Sequence, residues 1–378
     1  MLPETCEPYE QIIYGTILYG DEFDPIKGYV CIDDGIITEV GEESTSSDNI
    51  IAPCFVNAHT HIGDSVCKDP PLGNSDGICV QRDLDQLVRP PQGLKHRILS
   101  STPDHVLMQY MRASIMDMLS TGTCAFADFR EGGVVGVMAL KEVLKGACID
   151  GLILGRPSST EDMLEDILSE VDRVLRNGDG LGMSGADDMD MELLRQVAAR
   201  ARRWKRSFAI HAGEKVRTDI GDALSLEPDM LIHLTQADTA DINAVADASV
   251  PVVVCPRSNL ITGVGMPPVR RMLEADITVA VGTDNVMLNS VNMFSEMEFL
   301  SKVFGLDDRQ VFKLCTLNGA STLRLDSVGS IKDNNRACLM ILNGRSNNLM
   351  GVQDPLRGIV RRARPDDILS IIRPCNNI

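Results

Sequence analysis

Pro53-Cys-Phe-Val-Asn-Ala-His-Thr-His-Ile-Gly-Asp64 is the stretch whose reading decides the fold. Cys54–Ala58 form a short, mostly apolar run, and it ends in His59 and His61. Side chains alternate along a strand, so Phe55, Asn57, His59 and His61 share one face. Two imidazoles are thus delivered side by side at the end of a buried strand. Such a pair suits a divalent transition metal, for which neutral imidazole is the commonest ligand. His-x-His alone is more often an exposed pair, so the rest of the chain must supply the partners.

Downstream of Ile51–His61, apolar runs recur at 123–129, 151–155, 181–184, 208–212, 230–234, 250–255 and 277–282. Helical periodicity separates several of them, at His105–Ser120, Glu161–Arg176, Met191–Trp204, Thr239–Ala248 and Pro267–Ala275. The stripe Leu164, Ile167, Leu168, Val171 and Leu175 reads as core packing. Eight strands joined by crossover helices predict an α/β fold, a (β/α)8 TIM barrel. Upstream, Gln11–Leu18, Gly28–Ile32 and Ile36–Val40 read as strands, with a hairpin turn at Asp33-Asp34-Gly35. After the barrel come helical stretches at Ser295–Val303 and Asp307–Leu325, then strands at Ala337–Leu342 and Ile368–Ile372. The expected division is a small β-sandwich from 1–50 and 325–378, and a barrel from 51–324. Gly63–Leu99 is long, rich in Gly, Pro and charge, and follows the first barrel strand. Active sites of barrels lie on that face, so the segment is expected to act as a lid or substrate loop.

The net charge is −18, with a pI near 4.7. Such a surface repels nucleic acid and anionic lipid, so neither is an expected partner. The 11 cysteines contain no Cys-x-x-Cys. Cys54, Cys124, Cys255 and Cys338 sit in apolar runs and read as small buried hydrophobes. A disulfide framework is not expected, and a reducing cytoplasm is. Met1–Glu7 is acidic without an apolar core, so no signal peptide is read there, and no run reaches the length of a membrane span. The expected partner is a small-molecule substrate, and homo-oligomerisation is left open.

Only six histidines are present. Four fall at the carboxyl ends of expected barrel strands: His59 and His61 on the first, His211 on the fifth, His233 on the sixth. Asp284 follows the eighth in Val-Ala-Val-Gly-Thr-Asp-Asn. All these ends converge on one rim, where five side chains can meet around one ion. His96 and His105 are given no role. Glu214, in His-Ala-Gly-Glu, points away from the rim by strand parity. It turns inward only if the strand stops at Ala212 and Gly213 permits a bend. There it would serve as general acid and base, because a leaving amine must be protonated as water attacks. Asp128, Arg130, Arg156 and Asn259 stand at other strand ends and are candidate substrate contacts.

These motifs together resemble the amidohydrolase superfamily, in its cytosine deaminase and chlorohydrolase-like branch. The matching pieces are Pro53–His61, His211-Ala-Gly-Glu214, Ile232-His-Leu234, Val254-Cys-Pro-Arg-Ser-Asn-Leu260 and Val281-Gly-Thr-Asp-Asn285, in the family's order. Asn318-Gly319-Ala320 and Gly329-Ser330-Ile331 extend the likeness towards the tail. The resemblance implies one divalent ion per chain, Zn²⁺ with Fe²⁺ as the alternative, on His59, His61, His211 and Asp284. It implies that Asp284 also takes a proton from the attacking water and that His233 orients that water and polarises the substrate. Glu214 would carry the proton to a ring nitrogen and then to departing ammonia. Binuclear members use a lysine on strand four, where this chain reads Gly180-Leu-Gly-Met-Ser-Gly-Ala-Asp-Asp188. A mononuclear site is therefore expected. Some purine-nucleoside deaminases of the branch carry a histidine near that point, and this chain has Ser184. The expectation is a metal-dependent hydrolase, a deaminase of an amino-substituted N-heterocycle. The alternatives are hydrolysis of a cyclic amide, imide or halide-bearing ring at the same site, or a barrel that serves as a non-catalytic scaffold.

Overall fold

The computed structural model describes residues 11–72, 81–89, 92–158 and 163–374. The signal-peptide reading of Met1–Glu7, part of Gly63–Leu99 and the start of the helix expected from Glu161 lie outside the described residues. By contact the chain forms two compact units. One holds the described parts of Met1–Val56, Met118–Cys124 and Met293–Ile378, the other those of Asn57–Asp117 and Ala125–Asn292.

In the first unit, β1 (Gln11–Tyr19), β2 (Asp24–Asp33) and β3 (Ile36–Glu42) form an antiparallel meander. Asp34 and Gly35, at φ 46° and 73°, make the β2–β3 turn expected from the sequence. β4 (Asn49–Pro53) lies parallel to β1 and carries β14 (Leu339–Asn343) and β15 (Ile368–Ile372) on its other edge. Both termini thus build one six-stranded sheet. Its alternating positions Ile17, Val30, Ile32, Ile37, Ile51 and Leu339 bury a common apolar cluster with Ile331 and Ala337. The helix expected over Asp307–Leu325 is two, Asp308–Cys315 and Leu317–Thr322. Thr316 between them leaves helical geometry, and its hydroxyl bonds back to the Phe312 carbonyl.

The barrel sheet is all parallel. It runs through β5 (Phe55–His61), β6 (Thr123–Arg130), β7 (Asp150–Gly155), β8 (Gly180–Met183), β9 (Ser207–Ala212), β10 (Met230–His233), β11 (Val252–Val254) and β12 (Val279–Val281). The apolar run Ile51–His61 is therefore divided, its first residues in β4 and the rest in β5. A two-residue strand, β13 (Asp284–Asn285), pairs with β5, whereas β12 pairs with β11. Thus the eighth barrel strand is broken, and its two halves close the ring. Asn57 bridges the break: its Nδ2 donates to Thr283 Oγ1 at 2.8 Å, and Thr283 N donates to its Oδ1 at 3.0 Å. Gly282 lies against the first strand, where a Cβ would stand 2.6 Å from the His59 carbonyl oxygen. Gly282→Ala is expected to destabilise the protein by about 1–3 kcal/mol through this clash, read as a lower urea midpoint with an unchanged slope.

Gly63–Leu99 is not an open loop over its described part. It holds a 3₁₀ turn at Ile62–Cys67 and helices at Leu84–Leu87 and Leu94–Ser101. Cys67, Leu87 and Met287 pack together there with Val66, Leu72 and Ile98. Among the described residues, seven buried cysteines are thiols, and Cys148 is in a disulfide. Among the described residues no helix is long and apolar enough to cross a membrane.

Candidate functional site

β5 is buried along its whole length, and its last residues present two rings to the barrel mouth. The His59 and His61 ring centroids are 4.9 Å apart. His211, the penultimate residue of β9, lies 5.0 Å from His59 and 5.7 Å from His61. His233 ends β10 at 5.3 Å from His211 and 6.0 Å from His59. Asp284 enters from β13, its Oδ1 3.3 Å from His59 Nε2 and 3.6 Å from His61 Nε2. Its other oxygen accepts the Ser258 hydroxyl at 2.7 Å, which aims Oδ1 at the imidazoles. His233 and Asp284 sit at φ 80° and 58°. Left-handed backbone at non-glycine residues costs of order 1–3 kcal/mol and persists only where the surroundings impose it. Here the pairings His233–Ala212 and Asp284–Thr60 impose it.

Glu214 reaches the same centre. β9 stops at Ala212, and Gly213 takes φ 60°, which reverses the parity of the strand. Glu214 Oε1 lies 3.5 Å from His233 Nε2. Burial, reinforced by the Asp284 carboxylate, pushes its carboxyl well above the usual range, which favours the protonated acid. Burial opposes ionisation of Asp284 too, but the imidazoles around it outweigh burial and hold its carboxyl well below the usual range. Two carboxyl groups in one pocket are thereby driven apart, one an acid and one a base. Burial lowers His61 to about 3 and His233 to about 4, and lowers His211 as well. All three stay unprotonated near neutral pH and keep a lone pair for a ligand.

The donor set fits a cation. His59, His61 and His211 bring three ring nitrogens within 4.8 Å of one another. Both His59 nitrogens, His233 Nδ1 and Asp284 Oδ1 are buried with no hydrogen-bond partner. Buried polar atoms seldom go unsatisfied, and a bound ion would satisfy one nitrogen of His59 and Asp284 Oδ1. A cavity of about 110 Å³ opens over the cluster, reaching His61, His211, His233, Glu214 and Asp284. Leu84 and Val88 cover it from the 63–99 segment, and their helix is tied across the mouth by Arg89–Asp188 and Lys215–Asp83 ion pairs.

The four candidate substrate contacts part company. Arg156 lines the cavity. Asp128, Arg130 and Asn259 do not line it. Asp128 Oδ1 accepts the Ile62 amide at 2.6 Å and the Thr60 hydroxyl at 3.2 Å, which ties down the turn after His61. Arg130 pairs with Glu131 at 2.6 Å. Asn259 is fully buried and donates to Thr235 at 2.7 Å. Lys95, Glu131 and Ser258 carry no role in the sequence reading, yet all three touch the centre or its supports. Ser258 lies on the helix Pro256–Thr262, which its leading proline and closing Gly263 signal in the sequence. No local pattern marks Glu131 or Lys95.

A family model described as the Amidohydrolase family matches residues 50–370. A Methanothermobacter thermautotrophicus protein named "Putative aminohydrolase" is 35% identical over 382 residues, covering 95% of this chain and 96% of that one. A 5-methylthioadenosine/S-adenosylhomocysteine deaminase from Thermococcus kodakarensis is 27% identical, over 95% of this chain and 91% of its own. Among solved structures, the atrazine chlorohydrolase of Arthrobacter aurescens TC1 complexed with zinc superposes with a TM-score of 0.79 at 18% identity. That match covers 96% of this chain and 94% of the other. A zinc-bound adenosine deaminase from Xanthomonas campestris also reaches 0.79 at 18% identity, covering 96% of this chain and 91% of its own. With the family model matched over most of its length, the chain belongs to the amidohydrolase family and is a hydrolase.

Proposed function

We propose that this protein is a mononuclear aminohydrolase that replaces a ring amino group of an N-heterocycle, of the nucleoside or base class, by oxygen. The observation that carries the reading is Glu214 3.5 Å from His233 with Asp284 on the same cavity floor, where burial favours the acid form of Glu214 and the surrounding imidazoles favour the ionised form of Asp284. Hydrolysis of an amidine-like C–NH₂ needs both, since water must lose a proton and the leaving nitrogen must gain one. His59, His61, His211 and Asp284 would hold the ion, Zn²⁺ or Fe²⁺. When bound, such an ion supplies Lewis acidity and brings the pKa of a water towards neutrality.

The chain's own groups do the rest. Asp284 Oδ1 takes the proton released as water adds to the ring carbon. His233, unprotonated on the cavity lining, would orient the water and the substrate. Glu214 gives its proton to the neighbouring ring nitrogen, recovers one from the adding water and passes it to the amine, and the proton taken up by Asp284 then returns to Glu214, which restores both groups. The C–O bond forms, the C–N bond breaks, and ammonia leaves. Leu84 and Val88 supply apolar lining to the cavity. Relatives named for deamination of 5-methylthioadenosine and S-adenosylhomocysteine support a substrate of this class. Among the described residues no Phe, Tyr or Trp lines the cavity, and Trp204 is on a half-exposed helix face, bonded to Asp172.

The test is ammonia release from 5-methylthioadenosine, S-adenosylhomocysteine, adenosine, guanine, cytosine and pterins, with metal content measured on the same sample. Ammonia from one class at about one metal per chain is the expected result. Bound metal with no ammonia from any of them defeats the deaminase reading, and chloride or ring-opened amide would then be sought as product. A second expectation concerns pH. Asp284 must be ionised and Glu214 protonated, so kcat should fall on the acid side as Asp284 gains a proton. It should fall on the alkaline side as Glu214 loses one. A rate that climbs without limit at high pH would remove Glu214 as the acid.

A further inference from the structure

Glu131 follows directly on β6 and is nearly buried, with a side chain 10% exposed. Its Oε1 accepts from Lys95 Nζ at 2.6 Å and from Arg156 Nη2 at 3.0 Å, and Oε2 accepts from Arg130 Nη2 at 2.6 Å. The same Oε1 stands 3.1 Å from His61 Nδ1, which also faces the Phe129 carbonyl oxygen at 3.1 Å. Both neighbours of Nδ1 are acceptors only. The proton of the neutral ring must therefore sit on Nδ1, and the lone pair on Nε2, the nitrogen that faces Asp284. His211 is fixed in the same sense by the Met183 carbonyl at 2.7 Å, but among the described residues only His61 of the cluster has a carboxylate at its Nδ1.

We propose that Glu131 is a positioning residue for the metal centre, holding the His61 ring with its Nε2 lone pair on the ion, and that Lys95 locks Glu131 in that place. The proposal rests on the metal reading given above. A carboxylate on the outer nitrogen fixes a ligand's tautomer and orientation and raises its basicity towards the metal. Lys95 is 2% exposed and comes from the helix Leu94–Ser101, within the segment expected to cover the site. Besides Glu131, its ammonium donates to Asn285 Oδ1 at 3.3 Å and lies 3.7 Å from Asp64 Oδ2. Asn285 is the residue after Asp284 and the register partner of His61. One lysine of the 63–99 segment is thereby joined both to the carboxylate behind His61 and to the short strand that carries Asp284. The position of the helix Leu94–Ser101 and the grip on the ion are thereby linked.

The test compares wild type, Glu131→Gln and Lys95→Met, each stripped and reconstituted with Zn²⁺ or Co²⁺. Chelator competition gives the affinity, and the visible Co²⁺ spectrum reports ligand geometry. Glu131→Gln is expected to weaken zinc binding about 10–100-fold and to shift the cobalt bands. Lys95→Met should act in the same direction by a smaller factor. In the zinc-loaded wild type, long-range ¹H–¹⁵N spectra of the histidines should show His61 protonated on Nδ1 and metal-bound through Nε2. If Glu131→Gln does not fold, Lys95→Met and that spectrum decide. Unchanged affinity and unchanged cobalt bands in the folded variants overturn the proposal, as does a His61 protonated on Nε2. A wild type that takes up no metal after reconstitution brings down the metal reading itself, which separates the two failures.

Discussion

Glu214→Gln is expected to lower kcat for ammonia release by about 10²–10⁴-fold while leaving the metal content at the wild-type level. Glutamine is the neutral isostere of the protonated acid, and burial beside Asp284 keeps Glu214 in that acid form. The substitution therefore leaves the charge of the pocket as it was, and the fold should tolerate it. What it removes is the proton. Without it the ring nitrogen stays unprotonated as water adds, and the amine would have to leave as an amide ion. Since Gly213 at φ 60° sets the side chain's direction, the amide should occupy the same place near His233. Steady-state ammonia release with metal analysis on the same preparation checks this. A variant with unchanged turnover would take Glu214 out of the proton path and leave His233 or solvent as the donor.

Asp284→Asn is expected to abolish metal retention on gel filtration and to lower kcat/KM by a factor on the order of 10³ or more, since ligand and base are lost together. Asparagine accepts the left-handed backbone at φ 58° as readily as aspartate does, and its amide oxygen can keep the Ser258 hydroxyl. The backbone and the packing are thus preserved, and the change isolates the charge. Three imidazoles remain, which as neutral ligands would hold a divalent ion without neutralising any of its charge. Excess Zn²⁺ should restore occupancy only in part and turnover scarcely at all, because the amide cannot take the water's proton. Full retention of metal in the variant would mean that the ion rests on the histidines alone. Full turnover would mean that another group is the base.

The barrel, the five residues of its rim and the bend at Gly213 were legible because each is written locally. Strand runs of four to eight apolar residues announce themselves, and side-chain alternation puts His59 and His61 on one face whatever surrounds them. Less regular elements were not legible. The helix Gly133–Leu144 opens on Gly132-Gly133 and contains Gly136, so its apolar period is diluted. The eighth strand is divided at Gly282-Thr283, and two residues such as Asp284-Asn285 are too few for any pattern. The 63–99 segment read as a loop because its helices are short and broken by Gly and Pro.

The sequence by itself determined what a short window can encode: a run of parallel strands, histidines and an aspartate at their carboxyl ends, and an acid three residues after His211, directly beyond a glycine. Only the tertiary structure decided which charges serve that centre. Lys95 and Glu131 are 36 positions apart and meet at 2.6 Å, and Arg156 arrives from another strand end at 3.0 Å. In the sequence each is one charged residue among many. Asp128 and Arg130 stand at a strand end as Arg156 does, yet only Arg156 faces the cavity. The reason is physical. A strand fixes on which side of the sheet a side chain leaves, whereas the partner it finds past the strand's end depends on loops folded from distant parts of the chain. Burial then turns those meetings into chemistry, because a carboxyl removed from water takes its protonation state from the few charges that face it.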